Sequence, residues 1–245
     1  MVKKEKIKVK DSSSKFLKYA WIAGIMLFIM SFIYSFVSSL VSFFGLSIYF
    51  SGIINSLISF ALTSLFYYGF YVLGKKYDSR LIRISAIAMI VISLILLLSS
   101  IFYVIPLANN LVLEINSTIQ QKAIEFNISQ DSIMDQTMNE AQQEIMGLAV
   151  LEIIKPHIPV FLILILSYSL ILMIIGILFG LGLMRLKIKY ARVTGILELV
   201  GIILIVIGIP LLMFLIGIIL ILLGILCLLV ASIFQIIILY QESKK

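Results

Sequence analysis

Long, almost uncharged apolar runs are the feature that most narrows what this chain can become. They extend from Tyr19 to Phe44, Ser47 to Gly74, Ile84 to Ala108, His157 to Met184 and Val193 to Tyr240. A helix needs about 20 apolar residues to cross a hydrocarbon core of about 30 Å. Each of the first four runs suffices for one crossing. The last is 48 residues long, too long for one and right for two, and Gly208, Pro210 and Gly217 mark the expected turn. Hydrophobic residues make up 62% of the chain and charged residues 13%, against about 45–50% and about 25% in soluble domains. A soluble globular enzyme, a secreted disulfide-rich module and a disordered chain are thereby excluded. Continuous rather than alternating apolarity excludes an outer-membrane barrel. The expected fold is all-α, a polytopic membrane protein of six transmembrane helices embedded in the lipid bilayer.

The charges supply the topology. Cytoplasmic loops collect Lys and Arg. Six crossings put both termini on one side, and seventeen of the nineteen basic residues then fall on that side. They are the seven lysines of residues 1–18, four residues of 75–83, four of 185–192, and Lys244 with Lys245. Lys122 and Lys155 alone lie on the other side. The expectation is N-in, C-in. The net charge of +7 is therefore a topology signal, and no nucleic-acid partner is expected. The first run is too long for a signal peptide. The expected organisation is a basic tail (1–18), three crossings (19–108), an outer segment (109–156), three more crossings (157–240) and a short inner tail (241–245).

Between Asn109 and Lys155 lie seven acids and both N-x-Ser/Thr sequons of the chain, at Asn116 and Asn127. Those asparagines are the candidate glycosylation sites. Val112, Ile115, Ile119 and Phe126 keep a helical period, as do Met134, Met138, Ala141, Ile145 and Leu148. Two antiparallel amphipathic helices are expected, forming an extracytoplasmic hairpin between membrane helices three and four. It serves either as a self-packed connector, the favoured reading, or as a recognition surface for an extracytoplasmic protein partner or for self-association.

Polar residues inside the spans are few. Ser31, Ser35, Ser38 and Ser42 of the first helix fall within about 60° of arc. Ser47, Ser51, Asn55, Ser59 and Thr63 recur every four residues along the second. Such faces line a hydrated path or let helices pack closely, and close packing is favoured. Gly176-x-x-x-Gly180 is a further close-approach motif. Glu198 is the one ionisable residue inside a span, and intramembrane carboxylates are costly and often functional. Gln235 is expected to face it at similar depth; Arg192 and Arg185 are alternative partners. There is no HExxH, no clustered metal ligands, no Gly-rich phosphate loop and no Gly-x-Ser-x-Gly. The single His157 sits between Pro156 and Pro159 at the outer boundary, and the single Cys227 lies in the last run. No catalytic residue, cofactor or metal site is expected.

The two inner breaks resemble one another. Lys76 to Arg83 followed by Ser85-Ala86 matches Arg185 to Arg192 followed by Thr194-Gly195, at an offset of 109 residues. The two units run in the same sense, unlike an inverted transporter repeat. Tyr77-Asp78-Ser79-Arg80-Leu81-Ile82 after Gly74-Lys75-Lys76 forms one half of a further likeness. The other half is Thr194-Gly195-Ile196-Leu197, Gly201, Ile207-Gly208 and Leu215-Ile216-Gly217-Ile218-Ile219, running into Ala231-Ser232-Ile233-Phe234. Together these resemble small archaeal multi-pass membrane proteins classed as domain of unknown function 996. The resemblance implies an archaeal plasma membrane and carries no activity or catalytic residue. The expected function is that of a non-enzymatic structural or interaction protein of the membrane. The alternative is a small channel or secondary transporter that uses the Ser/Asn face and Glu198.

Overall fold

The computed structural model describes residues 14–30, 48–125, 147–148, 151–211 and 215–245. Among these residues there is no strand. The helices are α1 (residues 14–30), α2 (Ile48–Lys76), α3 (Arg80–Ser99), α4 (Ile105–Glu125), α5 (Ile158–Met184), α6 (Ala191–Gly208) and α7 (Leu215–Ser243). Among the described residues, five stretches are long and apolar enough to cross a membrane: Gly52–Lys76, Arg80–Gln121, Leu166–Met184, Ala191–Gly208 and Leu215–Ser243. Large apolar side chains such as Ile87, Leu94, Ile163, Leu166, Ile203 and Leu222 are exposed along their outer faces. Helices apolar all round need a hydrocarbon environment. The chain is thus an all-helical, membrane-embedded protein.

The helices form a closed circuit. Consecutive neighbours are α2 and α3, α3 and α5, α5 and α6, and α6 and α7. The circuit closes through α1, whose Ala20 and Gly24 press on Gly69 and Phe66 of α2, and on whose Gly24 Ile236 of α7 packs. The buried core gathers at the end where α2 meets α3 and α5 meets α6. It contains Leu17 and Ala20 of α1, Phe70 and Leu73 of α2, Ile82 of α3, Phe179 and Leu183 of α5, Ala191 of α6 and Ile238 of α7. Leu17 was expected in the basic tail. It is 1% exposed because the helix already runs at residue 14 and turns this side chain inward.

One feature adds to the expectations and one corrects them. The third apolar run was expected to end near Ala108; the helix does not end with it, and α3 continues through a π-helical turn, Ser100–Val104, directly into α4. Pro106 would normally break a helix, because its ring collides with the carbonyl four residues back and it donates no hydrogen bond. The π turn shifts the pattern: Ile105 N–H bonds to the Ser100 carbonyl, five residues back. One wide turn thus absorbs the proline without breaking the rod. The first arm of the expected hairpin is this α4, while most of its returning arm lies outside the described residues. Gly217 was expected in the turn between the last two helices. The chain turns at 209–211, and Gly217 sits inside α7 against Gly208.

That contact belongs to a series. On α6, Thr194, Gly201 and Gly208 are spaced by seven and all buried; on α7, Gly217, Gly224 and Ala231 are too. A Cβ on Gly201 would stand 2.9 Å from the Gly224 carbonyl, and one on Gly224 2.8 Å from that of Gly201. Small residues at a heptad spacing let two antiparallel backbones touch. Likewise Gly180 of α5 meets Gly195 of α6, where a Cβ would lie 2.4 Å from the Gly180 carbonyl.

The offset of 109 residues recurs in space. Shifted by it, α2 and α3 cover α5 and α6 to within two residues at every end. Ser85 Oγ donates to the Leu81 carbonyl at 2.7 Å, and its counterpart Thr194 Oγ1 donates to the Tyr190 carbonyl at 2.8 Å. Phe70 and its counterpart Phe179 touch each other, edge to face, with centroids 5.0 Å apart. Counterparts in contact are what a two-fold relation about an axis along the helices produces.

Candidate functional site

Polar groups inside the helices collect in two places. The first is a seam between α2 and α3. Asn55, Ser56, Ser59 and Thr63 of α2 line a cavity of about 300 Å³ with Ser93 of α3 and Ser100 of the π turn. Period four keeps these residues on one side of α2 over two turns, although the series drifts. The Ser56 and Ser100 hydroxyls bond at 2.9 Å. Beside the seam, Ser99 and Tyr168 of α5 bond at 2.6 Å, at the edge of an apolar cleft of about 550 Å³ between α3 and α5. Ser93, Ser99, Ser100 and Tyr168 were not singled out from the sequence. Ser99-Ser100 just before Pro106 was the available signal.

The second place is the α6–α7 interface. Gln235 Nε2 donates to Glu198 Oε2 at 2.9 Å. Among the described residues Glu198 forms no ion pair, so neither Arg185 nor Arg192 serves it. The carboxylate is close enough to Tyr67 of α2 to interact with it electrostatically. Tyr67 extends the four-residue series of α2 by one step beyond Thr63. Its ring packs edge-on against Phe66 and Phe179, at 5.4 and 5.8 Å.

A third cluster lies at the helix ends and was missed in the sequence. Glu242 of α7, 1% exposed, accepts from Lys76 Nζ at 2.8 Å and from Tyr77 Oη at 2.8 Å, and also pairs with Lys245. Burial, with the hydrogen bond to Glu242 second, pushes the Tyr77 hydroxyl above its ordinary value. The bond to Glu242 raises the Lys245 ammonium. A buried charge is tolerated only when paired and hydrogen-bonded; here Lys76 and Tyr77 hold α7 to the end of α2, and Lys245 pairs with the carboxylate from the tail of α7 itself. The signal was one acid among the basic residues that flank the last run.

Of the expected polar positions, Asn55, Glu198 and Gln235 are thus placed, and Glu198 meets Gln235. Ser31, Ser35, Ser38 and Ser42 lie outside the described residues, as does Asn127. Asn116 is exposed on α4. The arrangement can do two things chemically: tie helices through short polar contacts, or pass a small polar species along α2 toward Glu198. No family model matches the chain, and comparison with curated proteins and with solved structures gives no match.

Proposed function

We propose that this is a six-crossing protein of the plasma membrane with both termini inside, and that its role is non-enzymatic, structural or interaction-based. The outer segment, beginning with the amphipathic α4, is a self-packed connector between the third and fourth crossings; meeting an extracytoplasmic protein partner or a second copy is its alternative role. The likeness to the archaeal multi-pass proteins is consistent with such a membrane. The observation that carries the proposal is that interior polar groups pair with one another across helices, although Ser64 Oγ and Trp21 Nε1 are buried without a partner among the described residues. Glu198 is engaged by Gln235, Ser56 by Ser100 and Ser99 by Tyr168, while Phe70 and Phe179 pack on each other in the buried core. Groups that satisfy one another hold helices together and leave little to coordinate a solute.

One observation favours the channel or transporter reading. The sequence Asn55, Ser59, Thr63 and Tyr67 leads along α2 toward Glu198. Flux measurement separates the two. Purified protein in proteoliposomes should pass protons, Na⁺ and K⁺ no faster than protein-free vesicles. A flux that is present in the native protein and vanishes in well-folded Glu198→Gln would overturn the structural reading. The topology has its own check: protease added to intact cells should cut only between Asn109 and Lys155 and leave tags at both termini intact.

A further inference from the structure

The two short loops that join α2 to α3 and α5 to α6 come together at one end of the bundle and enclose a pocket of about 460 Å³. Arg80, Arg185 and Lys187 line it, together with Ser79, Tyr77 and Asp78. Asp78 is the one acid, and its carboxylate is engaged by Arg83 at 3.1 Å. Among the described residues, none of the three cations has an ion-pair partner. Arg80 also opens α3. Ser79 precedes it as N-cap but makes no side-chain cap hydrogen bond, so the positive end of the helix dipole at Arg80 is left without that cap. The walls are held in place: Leu186 is buried in the core, and Tyr77 is fixed by Glu242.

Three cations lining one preformed concavity at the ends of membrane helices, beside an uncapped helix N-terminus, match one ligand chemistry. We propose that this pocket binds a phosphate group. Basic pockets among helix ends hold anionic lipid headgroups, and guanidinium groups grip phosphate oxygens through paired hydrogen bonds. Leu81 and Leu186 complete the lining with apolar surface, suited to the glycerol end of a headgroup. The site does not depend on which membrane face carries it, so it and the proposed topology fail separately.

The test uses full-length protein in detergent, with phosphatidylglycerol as probe and phosphatidylcholine as the neutral reference. Native mass spectrometry counts retained lipid, and titration gives its affinity. The variant Arg80→Gln/Arg185→Gln/Lys187→Gln should bind phosphatidylglycerol about a hundredfold more weakly, at about fivefold per cation. The control Lys75→Gln/Lys189→Gln/Arg192→Gln removes the same charge from residues outside the pocket and should stay within about threefold of native. Lys187→Gln alone alters one exposed side chain and should cost about fivefold, which keeps the test valid if the triple variant does not fold. Inorganic phosphate added as competitor identifies the source. Displacement of the lipid shows a site for the phosphate group itself, and retention against phosphate shows a site for the whole headgroup; either supports the proposal. Equal losses in both triple variants, or equal binding of phosphatidylcholine, would overturn it.

Discussion

The helix pair α2–α3 and its counterpart α5–α6 agree in length to within two residues per helix and are joined by short loops at the same end, yet they are glued differently. In the first pair the half away from the connecting loop is a polar seam: Asn55, Thr63, Ser93 and Ser100. The residues at the same places in the second pair are Leu164, Leu172, Ile202 and Ile209. There the backbones approach through glycines instead, Gly180 upon Gly195 and Gly176 beneath Ile202. Gly176 and Ile202 correspond to Tyr67 and Ser93, so large and small residues have exchanged sides. In lipid there is no hydrophobic drive between helices, and two means of association remain: close packing and polar contacts. One backbone plan here uses both, one in each half.

The largest expected effect probes what the halves share. Phe70→Ala and Phe179→Ala should each lower stability by about 3–5 kcal/mol, as truncation of a buried aromatic does. The double variant should cost clearly less than the two single losses together, because the rings pack on each other. Reversible unfolding in detergent, followed by circular dichroism, measures all three. Additive losses would argue that the rings do not share one contact and would weaken the two-fold relation.

Gly201→Ala probes the glycine half. Its new methyl meets Leu228 at 2.8 Å and the Gly224 carbonyl at 2.9 Å. Backbone cannot yield as a side-chain tip can, so a loss of about 1–3 kcal/mol is expected. An unchanged unfolding midpoint would show that α6 and α7 do not touch there. In the hydroxyl half, Ser56→Ala should cost only about 0.6 kcal/mol, the average for a hydrogen bond between membrane helices. If Ser56→Ala proves the more damaging of the two, the contrast between the halves is lost.

The smallest effect concerns the Glu242 cluster, which ties the last helix to the first of the two pairs. Tyr77 and Lys245 both have raised pKa values in the folded protein. A group that binds its proton more tightly when folded contributes its full stability below the unfolded pKa and loses it as pH rises through the folded one. Stability should therefore sag above about pH 10. Glu242→Gln should flatten that dependence, and a sag of equal size in this variant would assign it to other groups.

Much of this plan is legible in the order of the amino acids. Apolar runs locate α2, α5, α6 and α7, because hydrocarbon thickness fixes how long they must be. The likeness of the inner loops foreshadows the repeated pair, since Ser85 and Thr194 do the same back-bonding in both. Glu198 with Gln235 is legible as well: two polar side chains at similar depth in adjacent antiparallel helices have few other partners. The passage of α3 into α4 is not legible, because Pro106 reads as a helix end and nothing local announces that a π turn will absorb it. The role of Gly217 is hidden for a related reason. A glycine after Pro210 has the signature of a turn, and only the seven-residue spacing with Gly224 and Ala231 reveals it as packing. Glu242 looks like tail, since its partners Lys76 and Tyr77 lie more than 160 residues away.

The uninterrupted course of α3 into α4 makes the molecule its own ruler. From Arg80 to Asn116 the rod rises about 54 Å at 1.5 Å per residue. Were Arg80 to stand at one membrane boundary, a hydrocarbon core of about 30 Å would put Asn116 roughly 24 Å beyond the opposite boundary. A sugar on Asn116, or a partner gripping α4 there, would be met at a set height above the lipid rather than at its surface.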